Sequence, residues 1–479
     1  MSGVSLLTYA DRLAGDLPGL DRLLSNELSV FTGAHVLPFF TPFDGDDTGF
    51  DPIDHTAVDP RLGSWDDIRG IAAAREVTAD LIVNHVSNRS AEFEDWLARG
   101  TASPHDGMFL TFDRVFPDRA SEADITAFYR PRPGLPFTPY RGADGTRRLV
   151  WTTFMPSQID IDVTHPAGLA YLERLADTLA AGGVGTVRLD AVGYAVKTPG
   201  TDSFMTPETL DFVAQAAALI RERGMRVLVE VHAHYSQQQA IAPLVDLVYD
   251  FALPPLLLHA LGTGRSDRLA SWLGIRPANA VTVLDTHDGI GVIDAGPSGD
   301  RPGLLSHAEM AEVFRHAHDA TGGHSSAASV IPAWLTLPHQ INATFFSVLG
   351  RDTRRMLLAR AVQIFLPGEP QFYYVGVLGG EDDTALFART GQGRDVNRHV
   401  YTPDEIRRAL ATDVTRGQLA LAALRRHPVF DGEFSWEAPD DASLLLRWRG
   451  SGHEAVLRVR FDDPDFEITL DGAAVSLTG

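Results

Sequence analysis

The sequence predicts an α/β chain built on a closed (β/α)8 barrel, with two inserted loop-rich subdomains and a small C-terminal antiparallel β-domain. Three observations predict it. Short β-branched and apolar runs recur with helical stretches between them, the alternation of a parallel sheet covered by helices. Eight such runs are present. Polar residues gather at their C-terminal ends, where barrels place their chemistry.

In chain order the strand runs are Val4–Tyr9, His35–Phe39, Thr78–Asn84, Gly185–Asp190, Arg226–Val231, Leu247–Leu253, Ala280–Thr286 and Ala361–Leu366. A plain barrel takes roughly 250 residues, and the chain has 479, so the remainder belongs to insertions and an appended module. The barrel is assigned to 1–85, 162–288 and 351–430. The gap between the third and fourth runs is too long for one crossover and is rich in Pro, Arg and aromatics around Tyr129–Pro139. Residues 86–161 therefore read as an inserted domain. A second insertion spans 289–350, and its Gly/Ser/Ala stretch Gly322–Ser329 has the composition of a mobile loop. In 431–479, alternating segments such as Leu444–Arg449 and Val456–Arg460 predict the antiparallel domain.

Hydrophobic residues make up 44% and charged residues 22% of the chain, as in folded globular proteins. Forty-one Lys and Arg against 63 Asp and Glu leave a net charge of −22, which disfavours nucleic acid and anionic membrane partners. A small anionic substrate stays open, because a local Arg or His cluster reverses the field inside a cleft. The absence of cysteine excludes disulfides, thiolate metal sites and a cysteine nucleophile, and fits a reducing compartment. The first residues are too briefly apolar for a signal peptide or a membrane span, so a cytoplasmic location is expected. A homodimer is compatible with all of this.

Four strand ends carry the polar clusters: Asp80-Leu-Ile-Val-Asn84-His85, Arg188-Leu-Asp190, Glu230-Val-His232 and Asp285-Thr-His287-Asp288. Singly, each reads as a helix cap or a hydrogen-bonded core group. Collected at one barrel mouth, several acids would repel one another, which points to a site. Arg188 and Asp190 lie two apart on a strand and face the same side, so the guanidinium is expected to hold Asp190 ionised as a nucleophile. Glu230, between Val229 and Val231, is expected to keep its proton by desolvation and act as general acid. Two carboxylates in opposed environments suit glycosidic bond chemistry.

These four segments, in this order, resemble the conserved regions of the α-amylase superfamily, with support from Gly33–Pro38, Gln158–Asp162 and Gly368–Gly376. Within it the chain is similar over nearly its whole length to sucrose phosphorylase and its near relatives. That similarity is carried by Thr8–Arg12, Leu37–Gly45, Gly49–His55, Tyr129–Phe137, Arg188–Tyr194, Asp250–His259, Thr282–Val292 and Gly393–His399. The resemblance implies Asp190 as nucleophile, Glu230 as general acid/base and Asp288 as transition-state stabiliser. It implies a glucosyl pocket of Asp47, Phe50, His85, Phe154, Arg188, His287, Asp288 and Arg394.

It also implies a retaining phosphorylase in which inorganic phosphate is a substrate, without cofactor or metal. Phosphate near three carboxylates needs a cation. Arg132 is the first candidate, with Tyr194, His232, Leu337, His339 and Gln340 as further acceptor or phosphate contacts. The chain departs from its sucrose-using relatives in the loop before Gln340, where Leu337 stands for an acid and His339 for an aromatic residue. The expected substrate is sucrose or a sucrose-like glucoside, and the acceptor is left open among fructose, fructose 6-phosphate, glycerol and glycerate. An α-glucosidase-type hydrolase is the second reading, and a non-catalytic sugar-binding relative the third.

Overall fold

The computed structural model describes residues 3–132, 134–329 and 338–477. Eight parallel strands close into a barrel in strict chain order: β1 Ser5–Thr8, β2 Gly33–Val36, β3 Glu76–Ile82, β4 Thr186–Asp190, β5 Arg226–Val229, β6 Leu247–Asp250, β7 Ala280–Thr282 and β8 Glu369–Tyr373. β8 pairs with both β7 and β1 and seals the ring.

The expected eighth strand is corrected. Ala361–Leu366 forms the end of a helix, Thr353–Phe365, with ten consecutive buried residues from Met356 to Phe365. A helix buried on all sides loses its amphipathic period, so its apolar run cannot be told from a strand by pattern alone. The strand begins only after Gly368, which has φ +110° and where a Cβ would come 2.0 Å from the Ala280 carbonyl oxygen. β5, β6 and β7 also end before the apolar runs do. Glu230, His232 and Asp285–Asp288 therefore stand on the loops that leave the barrel mouth, and those loops are themselves packed.

After β3 the chain forms short helices, Phe112–Val115 and Glu122–Ala127, and a hairpin of Phe137–Arg141 with Arg147–Trp151. These surround a small apolar cluster of Leu110, Val115, Phe116, Phe128 and Trp151. Return to the barrel is secured where His85–Ser87 pairs with Gln158–Asp160. There the Lys197 side chain, 2% exposed, places Nζ 2.8 Å from Asp160 Oδ2 and 3.3 Å from Asn84 Oδ1, and also donates to the Tyr194 carbonyl. Asp160 keeps bonds from the Thr153 amide and hydroxyl, so Lys197→Met is expected to cost about 2 kcal/mol, the scale of a lost charged hydrogen bond. Urea denaturation of the full chain measures this.

After β7, Ile290–Gly291 pairs antiparallel with Gln340–Ile341, and between them runs the helix His307–Ala320, started by a Ser306/Glu309 capping box. The Gly322–Ser329 stretch expected to be loop contains a short helix, His324–Ala328. A five-stranded antiparallel sheet ends the chain. It packs on the helix Thr353–Phe365, with Trp448 Nε1 donating to the Phe365 carbonyl at 2.7 Å.

A cavity of about 740 Å³ lies at the N-terminal end of the barrel. Arg226 bridges Glu76 and Glu369 across it. That end of a barrel is where stability is built, and the opposite end carries chemistry.

Candidate active site

Barrel register explains the first cluster. Arg188 on β4 lies beside Asp80 on β3, and its Nη1 contacts Asp80 Oδ1 at 2.5 Å and Asp190 Oδ1 at 2.7 Å. Asp80 Oδ2 meets His35 Nε2 at 3.1 Å from β2. Asp80 is fully buried. Burial pushes its carboxyl up, but Arg188 and His35 overcome that and hold it well below the usual carboxylate range.

Asp190 differs from the expectation that Arg188 would keep it ionised. Burial pushes its carboxyl well above the ordinary value, Arg188 opposes this, and the charges of Glu230 and Asp80 add to the rise. The two acids are neighbours: Glu230 Oε2 accepts a 3.2 Å bond from the amide of Ala191, the residue after Asp190. Ala191 itself has φ +53°, an uncommon left-handed conformation for a residue with a side chain. A single guanidinium shared between Asp80 and Asp190 does not cancel the crowding of acids around it.

Asp288 has the opposite environment. Burial pushes it up, but Arg394, His287, His232 and Arg398 together hold its carboxyl far below the ordinary range. Arg394 Nη1 lies 2.7 Å from Asp288 Oδ1, and Arg398 Nη2 3.8 Å from the same atom. Arg398 also donates from Nε to the His287 carbonyl at 2.8 Å and from Nη1 to Thr48 Oγ1 at 2.8 Å.

Aromatic and imidazole rings wall the space between the acids. Phe50 stacks on His287 with centroids 5.0 Å apart, and the Arg188 guanidinium lies 5.7 Å from the Phe50 centroid. His85 Nε2 pairs with the Phe50 carbonyl at 2.8 Å, and its ring meets Phe154, which meets Tyr194. Burial lowers the pKa of His85 and, more strongly, of His287, against the pull of the acids nearby. Asp47 accepts a 3.2 Å bond from Gln158 Nε2.

His232 stacks on Phe251 at 3.9 Å, and its Nε2 lies 3.9 Å from Glu230 Oε1. Burial lowers its pKa, but Asp294, Glu230 and Asp288 more than compensate, and it is pushed up to about 9. Glu230, His232 and Asp288 place donor atoms within 4.8 Å of one another. A metal ion there would have to displace the proton that Asp294, Glu230 and Asp288 favour on His232.

Of the residues expected to meet the acceptor, Tyr194 and His339 both lie near the Tyr129 ring, with centroids 6.1 and 6.5 Å from it. Burial lowers the pKa of His339. Gln340 packs over Gly289, where a Cβ would come 2.8 Å from its Cδ. Arg132 is exposed and has no hydrogen-bond or ion-pair partner among the described residues. Leu337 lies outside the described residues.

The sequence by itself points to no role for Asp80, Asp294 or Arg398. Arg398 stood in plain view four residues after Arg394 in Gly393–His399. Nothing local distinguishes Asp294, whose partners come from the loop after β5.

The chain is 49% identical over 98% of its length to the sucrose phosphorylase of Agrobacterium vitis, covering 97% of that protein. It is 48% identical over 95% of its length to the sucrose phosphorylase of Bifidobacterium adolescentis, covering 91% of it. The chain belongs to the sucrose phosphorylase family. It is an enzyme, a glycoside phosphorylase. Among solved structures, a family neighbour is the sucrose 6F-phosphate phosphorylase from Thermoanaerobacter thermosaccharolyticum, with TM-score 0.92, 34% identity, and coverage of 99% of this chain and 97% of that one. An α-amylase from H. orenii, 15% identical with TM-score 0.67 over 96% of this chain and 89% of its own, shares the barrel fold. No protein-family profile matches the chain. The described residues include no helix long and apolar enough to cross a membrane.

Proposed function

We propose that this phosphorylase cleaves an α-glucoside, sucrose or a sucrose-like compound, by double displacement with retention, giving α-D-glucose 1-phosphate. The observation that carries the reading is the gathering of Asp190 at the end of β4 with Glu230 and Asp288 on the loops after β5 and β7, beside Phe50, His85, Phe154, Arg188, His287 and Arg394. Asp190 is the nucleophile: a carboxylate oxygen attacks the anomeric carbon as the bond to the leaving oxygen breaks. Glu230 gives that oxygen its proton. The resulting β-glucosyl ester is opened by a phosphate oxygen, whose proton passes to Glu230, and Asp190 leaves as carboxylate. Asp288, held anionic by its cations, grips sugar hydroxyls and supports positive charge developing at the anomeric carbon.

Cleavage needs the charge on Asp190 and the proton on Glu230. The Arg188 contact to Asp190 Oδ1 favours the productive arrangement. Arg132, His232, Tyr194, His339 and Gln340 face the acceptor in this reading, with Arg132 drawn in by an arriving phosphate. Sucrose is taken as donor from the two relatives at 49% and 48% identity, although a third sucrose phosphorylase, at 34%, stands level with a glucosylglycerol phosphorylase at 36% and a sucrose 6(F)-phosphate phosphorylase at 35%. His339 and Leu337 favour an altered second-sugar site.

Incubation with sucrose in phosphate buffer is expected to yield glucose 1-phosphate in excess of glucose. In the reverse direction, glucose 1-phosphate with fructose, fructose 6-phosphate, glycerol or glycerate is expected to release phosphate with at least one acceptor. Glucose alone in the first assay and no acceptor-dependent release in the second would identify a hydrolase.

A further inference from the structure

Asp294 lies in the segment that follows Gly291 and is fully buried. Its carboxylate has one ion-pair partner among the described residues, His232, with Nδ1 3.2 Å from Oδ2. Its other bonds come from neutral donors, the Ala233 amide at 3.2 Å and Gln238 Nε2 at 3.3 Å. A buried carboxylate with only neutral donors is costly, so the charge of Asp294 and a charge on His232 stabilise each other.

The opposite edge of the ring is unsatisfied. His232 Nε2 is buried and has no hydrogen-bond partner among the described residues, while Glu230 Oε1 stands 3.9 Å away. The ring cannot turn away, because it is stacked on Phe251 and pinned at Nδ1. Space for the pair exists only because residue 291 is glycine: a Cβ there would come 2.3 Å from Asp294 Oδ2 and 3.0 Å from His232 Nδ1. The charged and titratable groups facing His232 are Glu230 at its own strand end, Asp288 from the loop after β7, Asp294 from the second insertion, and His339. Three acids against one other imidazole favour the protonated ring.

We propose that Asp294 is a positioning residue for the second displacement: it holds His232 as a cation with Nε2–H turned into the site beside Glu230, where an incoming phosphate oxygen accepts it. The proposal rests on the phosphorylase reading. Phosphate otherwise meets Asp190, Glu230 and Asp288, and one fixed cation among them lowers the repulsion without itself moving a proton. The same backbone segment ties this cation to the acceptor side, since the Val292 amide donates to the His339 carbonyl at 3.0 Å.

The test is Asp294→Asn in the full chain, which keeps the shape and an oxygen acceptor but removes the charge. The Michaelis constant for inorganic phosphate is expected to rise by roughly tenfold to a hundredfold, the scale of a lost charged hydrogen bond. Hydrolysis of α-glucosyl fluoride without phosphate is expected to change several-fold less than the phosphate Michaelis constant does. Nitrogen-15 NMR of labelled histidines is expected to show His232 protonated up to about pH 9 in the wild type and titrating near its ordinary value, about 6.5, in the variant. An unchanged phosphate Michaelis constant in the folded variant overturns the proposal. So does a wild-type His232 that titrates near its ordinary value, a result that needs no variant to fold. Production of glucose without glucose 1-phosphate by the wild type would overturn the phosphorylase reading instead, and the NMR titration reads the Asp294–His232 pair without any turnover.

Discussion

Asp190→Asn is expected to lower kcat/KM by about a hundred-thousandfold, the scale seen when a covalent nucleophile is removed. Intact-protein mass spectrometry with α-glucosyl fluoride is expected to find a glucosyl adduct on the wild type and none on the variant. The fold should not suffer. Burial and the charges of Glu230 and Asp80 push the Asp190 carboxyl up, so a neutral amide of nearly the same shape relieves repulsion, and the melting temperature is expected to rise. Sites built for chemistry commonly carry such a stability deficit. Retained turnover in Asp190→Asn would remove Asp190 from the mechanism.

Arg188→Met has a different profile, with activity and stability falling together. Arg188 is 2% exposed and contacts both Asp80 and Asp190. Methionine fills much of the stem volume but leaves two buried carboxylates without their shared cation, and breaking a buried ion pair from one side costs about 3–5 kcal/mol. Asp190, deprived of the arginine that favours its charge in the empty site, is pushed further up, and kcat/KM is expected to fall by roughly a hundredfold or more.

The pH dependence of that stability loss follows from Asp80. Burial raises its carboxyl, but Arg188 and His35 hold it well below the usual range in the folded state. In the wild type it therefore contributes stability that is present above the unfolded value, about 3.9, and lost as pH falls toward the folded one. Arg188→Met removes the largest cause of the depression. The gap between wild type and variant is expected to be widest near neutral pH and to narrow below about pH 4, as urea titrations across that range would show. A constant gap at all pH values would mean that packing, not charge, sets the role of Arg188.

Local sequence was sufficient for a particular class of feature. The ends of β4, β5 and β7 carry Asp190, Glu230 and Asp288 because a buried apolar run that stops at an acid marks a barrel mouth, and a strand's period of two puts Arg188 and Asp190 on one side. Seven of the eight strands were legible from such runs. The eighth was not, because the helix Thr353–Phe365 is buried on every side from Met356 to Phe365, so its end Ala361–Phe365 shows no exposed polar face to mark it as a helix.

What tertiary structure alone decided are the meetings of distant segments. Arg188 and Asp80 are 108 residues apart, His232 and Asp294 are 62, and Arg398 reaches across 350 residues to Thr48. Those meetings set the electrostatics. The sequence placed Asp190 beside a stabilising arginine, but only the folded barrel divides that arginine between two acids and adds Glu230 next to it, which reverses the expected direction of the Asp190 shift. Position along the chain determines which groups stand at the mouth of the barrel. Their charge states depend on everything within a few ångströms in three dimensions, and that neighbourhood exists only after the chain has closed.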